Sequence, residues 1–134
     1  MPLVLWNDSY SVHVTPCDQE HKQLLAVLNA LHQAMSVGSG RTVMVPVIQE
    51  LQKYTVTHFR NEEKLLEKSG YPALAAHRIE HDKFIAKVQQ FQQDLEEGRA
   101  STVEVIQFLY NWLLTHIKHS DRSYGPYLNA QGIN

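Results

Sequence analysis

Seven side chains of the kinds that bind metal ions lie on or next to the predicted inner faces of four predicted helices. They are His21, His58, Glu62, His77, His81, His116 and Asp121. A protein core accepts such groups only where each finds a partner, because burying an unpaired polar or charged group costs free energy. Since imidazole and carboxylate groups are metal ligands, the set predicts a metal centre inside a helical bundle.

Helical spacing of apolar residues covers most of the chain. The four stretches run over about 18–37, 42–68, 73–97 and 101–121. Breaks that contain glycine or proline separate them at 38–40, 70–72 and Gly98. Ser101 and Glu104 form a capping-box pattern where the fourth stretch begins. Strand-like alternation is absent, and we therefore expect an all-α fold, an antiparallel up-down-up-down four-helix bundle with an N-terminal arm.

Length and composition favour one compact domain. We expect the 134 residues to divide into an arm over about 1–17, a bundle over about 18–121 and a closing segment over about 122–134. A net charge of −2 without a long basic run argues against nucleic acid or an anionic membrane as a partner. No signal peptide or bilayer-spanning stretch is visible, and the single Cys17 excludes an internal disulfide. The lone cysteine is compatible with a reducing compartment, and we expect a cytoplasmic protein. Because no second apolar stripe is evident, we expect a monomer.

Distance from the predicted turns places the seven residues at one depth. His21 lies about 18 residues before the first turn and His58 about 19 residues after it, a difference in height of only a few Å at ~1.5 Å per residue. His81 lies about 18 residues before the third turn and His116 about 17 residues after it. Seven ligands exceed what one ion takes, so a dinuclear site bridged by the two carboxylates is predicted.

The position of Asp121 does not follow from helical periodicity. It lies five residues after His116, which is about 140° around an ideal helix. His119, three residues after His116, is the better choice by geometry alone. Asp121 reaches the site only if the helix widens there, for example into a π-type turn.

A longer pattern extends over nearly the whole chain, from Trp6 to about Leu128. It comprises Trp6, Asp18-x-x-His21-x-x-Leu24, His58-Phe59-x-x-Glu62-Glu63, Gly70-Tyr71, His77-x-x-x-His81 and Trp112-Leu113-x-x-His116-Ile117-x-x-x-Asp121. The pattern resembles the hemerythrins, and among them the single-domain bacterial members, the bacteriohemerythrins. His13 and Cys17 depart from the small or aliphatic residues usual in that family.

The resemblance implies a non-haem centre of two iron ions with an oxo or hydroxo bridge. In the family, three histidines hold one iron, and two hold the other, which keeps an open position for dioxygen. Two carboxylates also bridge the ions. The matching residues here are His77, His81 and His116, then His21 and His58, and finally Glu62 and Asp121. Asp121, rather than His119, is thereby implied as a ligand.

Reversible dioxygen binding for storage, delivery or sensing is the expected function, with a separate redox or oxygen-accepting partner also compatible. The ligand set is rich in histidine and lacks the paired Glu-x-x-His motifs of carboxylate-rich di-iron bundles. An apolar pocket wall, which withholds protons from bound oxygen, is predicted at Leu24, Leu25, Phe59, Trp112, Leu113 and Ile117. The alternatives are a di-iron oxidase, peroxidase or nitric-oxide-handling enzyme on the same scaffold, and a metal-free helical interaction module.

Several remaining polar residues have simpler interpretations. We expect the other histidines at the surface or beside the site; they are His13, His32 and His119. Glu63 faces away from the apolar stripe, so we expect it in solvent. Cys17 is interpreted as a small buried apolar group, and the segment 124–127 as a cap that closes the bundle.

Overall fold

Helices account for most of the chain in the computed structural model, which describes residues 3–36 and 40–134. The helices are α1 (Thr15–Ser36), α2 (Gly40–Lys68), α3 (Leu74–Glu96), α4 (Thr102–Thr115) and α5 (Arg122–Ala130). A π-helical turn (His116–Asp121) joins α4 to α5, and a short 3₁₀ turn (Asp8–Tyr10) lies in the N-terminal arm. Within these described residues there is no strand.

The first four helices form the bundle that the sequence predicts. Helix α2 packs against α1 and α3, and α4 packs against α1, α2 and α3. The expected all-α four-helix bundle is therefore confirmed. Ser101 caps α4 as expected, accepting a hydrogen bond from the Glu104 backbone N–H at 3.2 Å. Residues 38 and 39 of the first predicted break lie outside the described part of the chain, as does residue 37, and α2 already begins at Gly40.

Helix α1 begins at Thr15, earlier than the expected start near Asp18. The Asp18 backbone N–H donates a helical hydrogen bond of 3.0 Å to the Val14 carbonyl, so the first turn of the helix already precedes Asp18. The Asp18 carboxylate holds the arm, accepting hydrogen bonds from the Val12 backbone N–H at 2.8 Å and the Ser11 hydroxyl at 2.6 Å. Pro16 fits the first turn because its missing N–H would have no partner inside the helix.

Two apolar clusters divide the core along the helix axes. A larger cluster fills most of the bundle, and a smaller one lies between the arm, the end of α2 and α5. Helix α1 passes from Cys17 in the smaller cluster, through His21, to Leu24 in the larger cluster. Helices α2 and α3 make the same passage, with Leu66 and Leu74 packed in the smaller cluster and Phe59 and Phe84 in the larger. The seven residues singled out in the sequence form a buried polar layer between the clusters.

A close backbone contact seats the arm on α5. A Cβ atom at Gly125 would lie 2.4 Å from the Val12 carbonyl oxygen, so any larger residue there would displace the arm. Gly70 has a φ of 70° in the turn between α2 and α3, a conformation that glycine adopts without strain. Among the described helices, none is long and apolar enough to cross a membrane.

Candidate metal centre

The polar layer consists of two overlapping groups of potential ligands. The three-histidine group comprises Glu62, His77, His81, His116 and Asp121, and the two-histidine group comprises His21, His58, Glu62 and Asp121. Within each group, one ligand atom of every residue lies within 4.8 Å of all the others. All seven predicted residues are thus brought together, and the two carboxylates belong to both groups.

Glu62 divides its two carboxylate oxygens between the groups. Oε1 lies 2.7 Å from His77 Nε2 and 3.1 Å from His81 Nε2. Oε2 lies 3.5 Å from the Nε2 atoms of both His21 and His58. This arrangement suits a carboxylate that bridges two ions.

Asp121 is divided in the same way. Its Oδ1 lies 2.9 Å from His116 Nε2 and 3.0 Å from His77 Nε2, whereas Oδ2 lies 3.0 Å from His21 Nε2. The π-helical turn makes this orientation possible, because it places residues five apart on one side of the helix. The prediction of a widened turn is confirmed, whereas the geometric preference for His119 is wrong, since that side chain is exposed.

Several buried atoms of the layer make no hydrogen bond of acceptable geometry within the protein, although some lie close to one another. They are both ring nitrogens of His21, Nε2 of His58 and both carboxylate oxygens of Asp121. His81 Nε2 and His116 Nε2 also face each other at 3.0 Å. A buried polar atom without a partner is costly, and two facing ring nitrogens need a proton or a cation between them. The donor set therefore fits metal ions that accept nitrogen and oxygen ligands.

Charge interactions within the layer shift the acid–base behaviour of its members. Burial alone lowers the pKa of His21 and His77, but the neighbouring Asp121 and Glu62 carboxylates outweigh it and raise both values to about 10. Burial opposes ionisation of the two carboxylates, yet the surrounding histidines lower the pKa of each. In the absence of metal, protons therefore balance the buried negative charge, and a metal ion must displace them.

Three of the five histidines hydrogen-bond through Nδ1 to a carboxylate outside the layer. The pairs are His58 with Glu20 at 2.9 Å, His81 with Glu63 at 2.7 Å and His116 with Glu80 at 2.7 Å. We call Glu20, Glu63 and Glu80 the outer carboxylates. When Nδ1 donates outward, the Nε2 lone pair points into the layer, which is the orientation a metal ligand needs.

The expectation that Glu63 lies in solvent is wrong. Its side chain is only 5% exposed and contacts His81 and Arg60. The error arose because a single apolar stripe describes one helix face, whereas α2 packs against both α1 and α3. The nearby Arg60 was the available signal in the sequence, since an arginine three residues away can compensate a buried carboxylate.

Tyr124 is a second residue whose role the sequence did not reveal. Its buried hydroxyl donates a hydrogen bond of 2.8 Å to Glu62 Oε2, the oxygen that faces the two-histidine group. Cys17 is buried beside Tyr124, as expected for a small apolar group, and burial raises the pKa of its thiol to about 12. The segment 124–127 thus lies inside helix α5 and contributes directly to the site rather than only closing the bundle.

The residues predicted to form an apolar pocket lie in or against the larger cluster. Those fully buried are Leu24, Leu25, Phe59, Leu113 and Ile117, and Trp112 is half-buried. Phe59 stacks on His81 with ring centroids 3.8 Å apart, and Trp112 stacks on His116 at 4.5 Å. The two aromatic rings therefore also fix the orientation of histidines in the three-histidine group.

Each group has a surface cleft beside it. A cleft of about 560 Å³ between α1 and α2 reaches Glu62, with Glu20 and Cys17 in its wall. A smaller cleft of about 170 Å³ reaches His77 and is lined by Glu80.

The remaining histidines lie apart from both groups. His13 and His119 are exposed and His32 is half-buried, which confirms their expected placement outside the layer.

Comparisons with known proteins agree on one family. The model of the hemerythrin HHE cation-binding domain matches residues 13–128. The chain is 34% identical to a bacteriohemerythrin of Stenotrophomonas maltophilia over 130 residues, which are 97% of this chain and 84% of that protein. It is 33% identical to a bacteriohemerythrin of Methylococcus capsulatus over 132 residues, 97% of this chain and all of that protein. A crystal structure of wild-type hemerythrin aligns with a TM-score of 0.86 at 32% identity, covering 94% of this chain and 98% of that one.

Proposed function

This chain belongs to the hemerythrin family, and we propose that it binds dioxygen reversibly at a centre of two iron ions. The family is one of iron-binding, oxygen-binding proteins. The observation that carries the proposal is the overlap of the two ligand groups at Glu62 and Asp121. Each carboxylate directs one oxygen toward each group, as a pair of bridges between two ions requires.

The unequal histidine content of the groups gives the two proposed ions different surroundings. His77, His81 and His116 would hold one ion, and His21 and His58 would hold the other. When bound, the iron ions supply the electrons that a reversible reaction with dioxygen needs. Because the second ion has one protein ligand fewer, we propose it as the one with room for dioxygen.

The surrounding side chains would orient the ligands. The outer carboxylates hold the Nδ1 protons of three histidines and so leave their Nε2 lone pairs directed inward. The Tyr124 hydroxyl fixes Glu62 Oε2 on the side of His21 and His58. Rotation of the bridging carboxylate would break that hydrogen bond.

The apolar wall is proposed to favour release of oxygen over its further reduction. Burial of five of its six members in one apolar cluster supports that role, because a dry wall offers no protons to a bound anion. The wall comprises Leu24, Leu25, Phe59, Trp112, Leu113 and Ile117.

A monomer is the proposed functional unit. Where side chains are described, large apolar residues are strongly exposed at Leu5, Ile79 and Val103, which lie on the arm, α3 and α4 respectively. Such scattered residues do not form the contiguous patch that marks a protein interface. The elution volume of the purified protein over a range of concentrations would test this.

Iron content and visible spectra under alternating gas test the proposed function. We expect about two irons per chain and a charge-transfer band that appears in air and fades when inert gas is restored. A band that decays irreversibly with oxidation of a substrate would indicate an enzyme instead. Absence of bound iron would contradict the proposal altogether.

A further inference from the structure

The three outer carboxylates differ in their own surroundings. Glu63 is the most buried, with its side chain 5% exposed, and it is contacted by two arginines. Arg60 Nη1 donates to both of its oxygens, at 2.7 and 3.0 Å, and Arg78 Nε lies 3.5 Å from Oε1. We call Arg60 and Arg78 the arginine clamp.

The other two outer carboxylates have hydrogen bonds with neutral side chains where Glu63 has arginines. The Glu20 side chain is 27% exposed and accepts a hydrogen bond from the Asn61 amide at 3.0 Å. The Glu80 side chain is 47% exposed and has a hydrogen bond with Ser120. Among the described residues, neither of these carboxylates pairs with an arginine or a lysine, whereas Glu63 faces two arginines.

This difference has an electronic consequence for the histidine that each carboxylate contacts. A carboxylate that accepts the Nδ1 proton makes an imidazole a more basic ligand, and so favours the more highly charged metal ion. A guanidinium on the same carboxylate draws electron density away from that hydrogen bond. It also compensates for the burial of the Glu63 carboxylate beside Glu62.

We propose that the arginine clamp limits the basicity that Glu63 imparts to His81, and thereby raises the reduction potential of the iron in the three-histidine group. Glu63 is then a positioning residue that acts on the centre through His81, and Arg60 acts through Glu63. The inference rests on the proposed function, because it requires iron at the site.

Reduction potentials of iron-loaded variants test the clamp. Glu63→Gln should raise the potential, whereas Arg60→Gln should lower it. Each change should be about tenfold in the relative stability of the oxidised and reduced ion, or about 59 mV for one electron. A purely structural role would loosen the site in both variants and shift both potentials in the same direction. Shifts of equal sign, or no shift in either variant, would therefore overturn the inference.

A double variant separates the clamp from the simple effect of a nearby charge. In the Glu63→Gln background, Arg60→Gln should leave the potential almost unchanged, because the carboxylate through which it acts is gone. The same shift in both backgrounds would overturn the inference. Asp82→Asn is the matched control, because Asp82 contacts Arg60 at 3.3 Å from the solvent side without touching Glu63. It should leave the potential unchanged, and a shift as large as that of Arg60→Gln would also overturn the inference.

Folding and iron loading are checked separately for every variant. Circular dichroism of the metal-free form shows whether Arg60→Gln folds, and if it does not, Arg78→Gln replaces it with a smaller expected fall in potential. A wild-type protein without an iron-dependent redox couple would contradict the proposed function and this inference together. A normal wild-type couple without opposite shifts would contradict this inference alone.

Discussion

The three-histidine group and the two-histidine group share Glu62 and Asp121, yet they differ in how many protein contacts orient their histidine rings. In the first group, Phe59 stacks on His81 and Trp112 stacks on His116. The His81 and His116 rings also donate hydrogen bonds through Nδ1 to the outer carboxylates Glu63 and Glu80. Their orientation is therefore fixed by protein contacts before any ion binds.

The two-histidine group depends more on an ion for its order. Neither ring nitrogen of His21 has a hydrogen-bond partner, and His58 Nε2 has none either. Only His58 contacts an outer carboxylate, and the larger cleft lies on this side. The comparison indicates that protein contacts orient the histidines of one half of the centre, while the other half retains buried ring nitrogens without a hydrogen bond.

Loss of a carboxylate that belongs to both groups should weaken metal binding by the two groups alike. We expect Asp121→Ala to reduce the iron content from about two per chain to well below one, because each group loses an oxygen ligand. Iron analysis of the purified protein measures this. The matched control is His119→Ala, which removes an exposed side chain from the same turn and should retain the metal. Equal losses in both variants would contradict the role of Asp121.

Loss of a histidine from the less ordered group should affect one ion only. His21→Gln leaves that group with a single histidine, so we expect about one iron per chain, retained by the three-histidine group. His32→Gln, on the same helix but outside both groups, is the control and should bind iron normally. Full iron content in His21→Gln would show that this half of the centre is not the weaker one.

Acid–base behaviour should be similar in the two groups when metal is absent. The pKa values of His21 and His77 are raised from 6.5 to about 10 in the folded protein. Their contribution to the free energy of unfolding is therefore complete below pH 6.5 and is lost as the pH rises toward about 10. Thermal unfolding of the metal-free protein should show this loss, and the iron-loaded protein, whose histidines carry no such proton, should not.

The smallest expected effect concerns the hydrogen bond that fixes Glu62 toward the two-histidine group. Tyr124→Phe removes this bond without changing the packing of the ring, and we expect about 1–2 kcal/mol lower stability. Denaturant unfolding measures the change. We also expect Tyr124→Phe to bind iron more weakly than Tyr127→Phe does. Tyr127→Phe is the control, because it loses only hydrogen bonds to the Ser69 and Gly70 carbonyls, away from the site. An equal fall in iron affinity in both variants would contradict a specific role for Tyr124.

Much of the architecture could be predicted because its determinants are local and periodic. Apolar spacing located the helices, and the short connections allowed depth to be counted from the turns, which placed residues such as His21 and His81 in one layer. The register of Asp121 could not be obtained in this way, because a π-helical turn leaves no trace in a 3.6-residue period. Helical geometry favoured His119, and the family resemblance decided in favour of Asp121.

Residues that support the layer from outside were harder to identify. Glu63 lies just beyond the apolar stripe, and its burial depends on α3 bringing His81 and Arg78 toward α2. Tyr124 reaches Glu62 across 62 positions of sequence, after the same π-helical turn. Such contacts depend on how two helices meet, and the pattern within either helix does not contain that information.

The π-helical turn also makes the layer dependent on chain length in one direction. A π-type turn holds one residue more than an α-helical turn, which is why His116 and Asp121 share a side of the helix although they are five residues apart. Deleting one residue between 117 and 120 would leave the four-residue spacing of an ordinary α-helix, so Asp121, Tyr124 and Gly125 should keep nearly their present sides. Inserting one residue would turn all three by about a further 100° and carry them away from the layer and the arm. A single-codon deletion in this turn should therefore be tolerated better than a single-codon insertion.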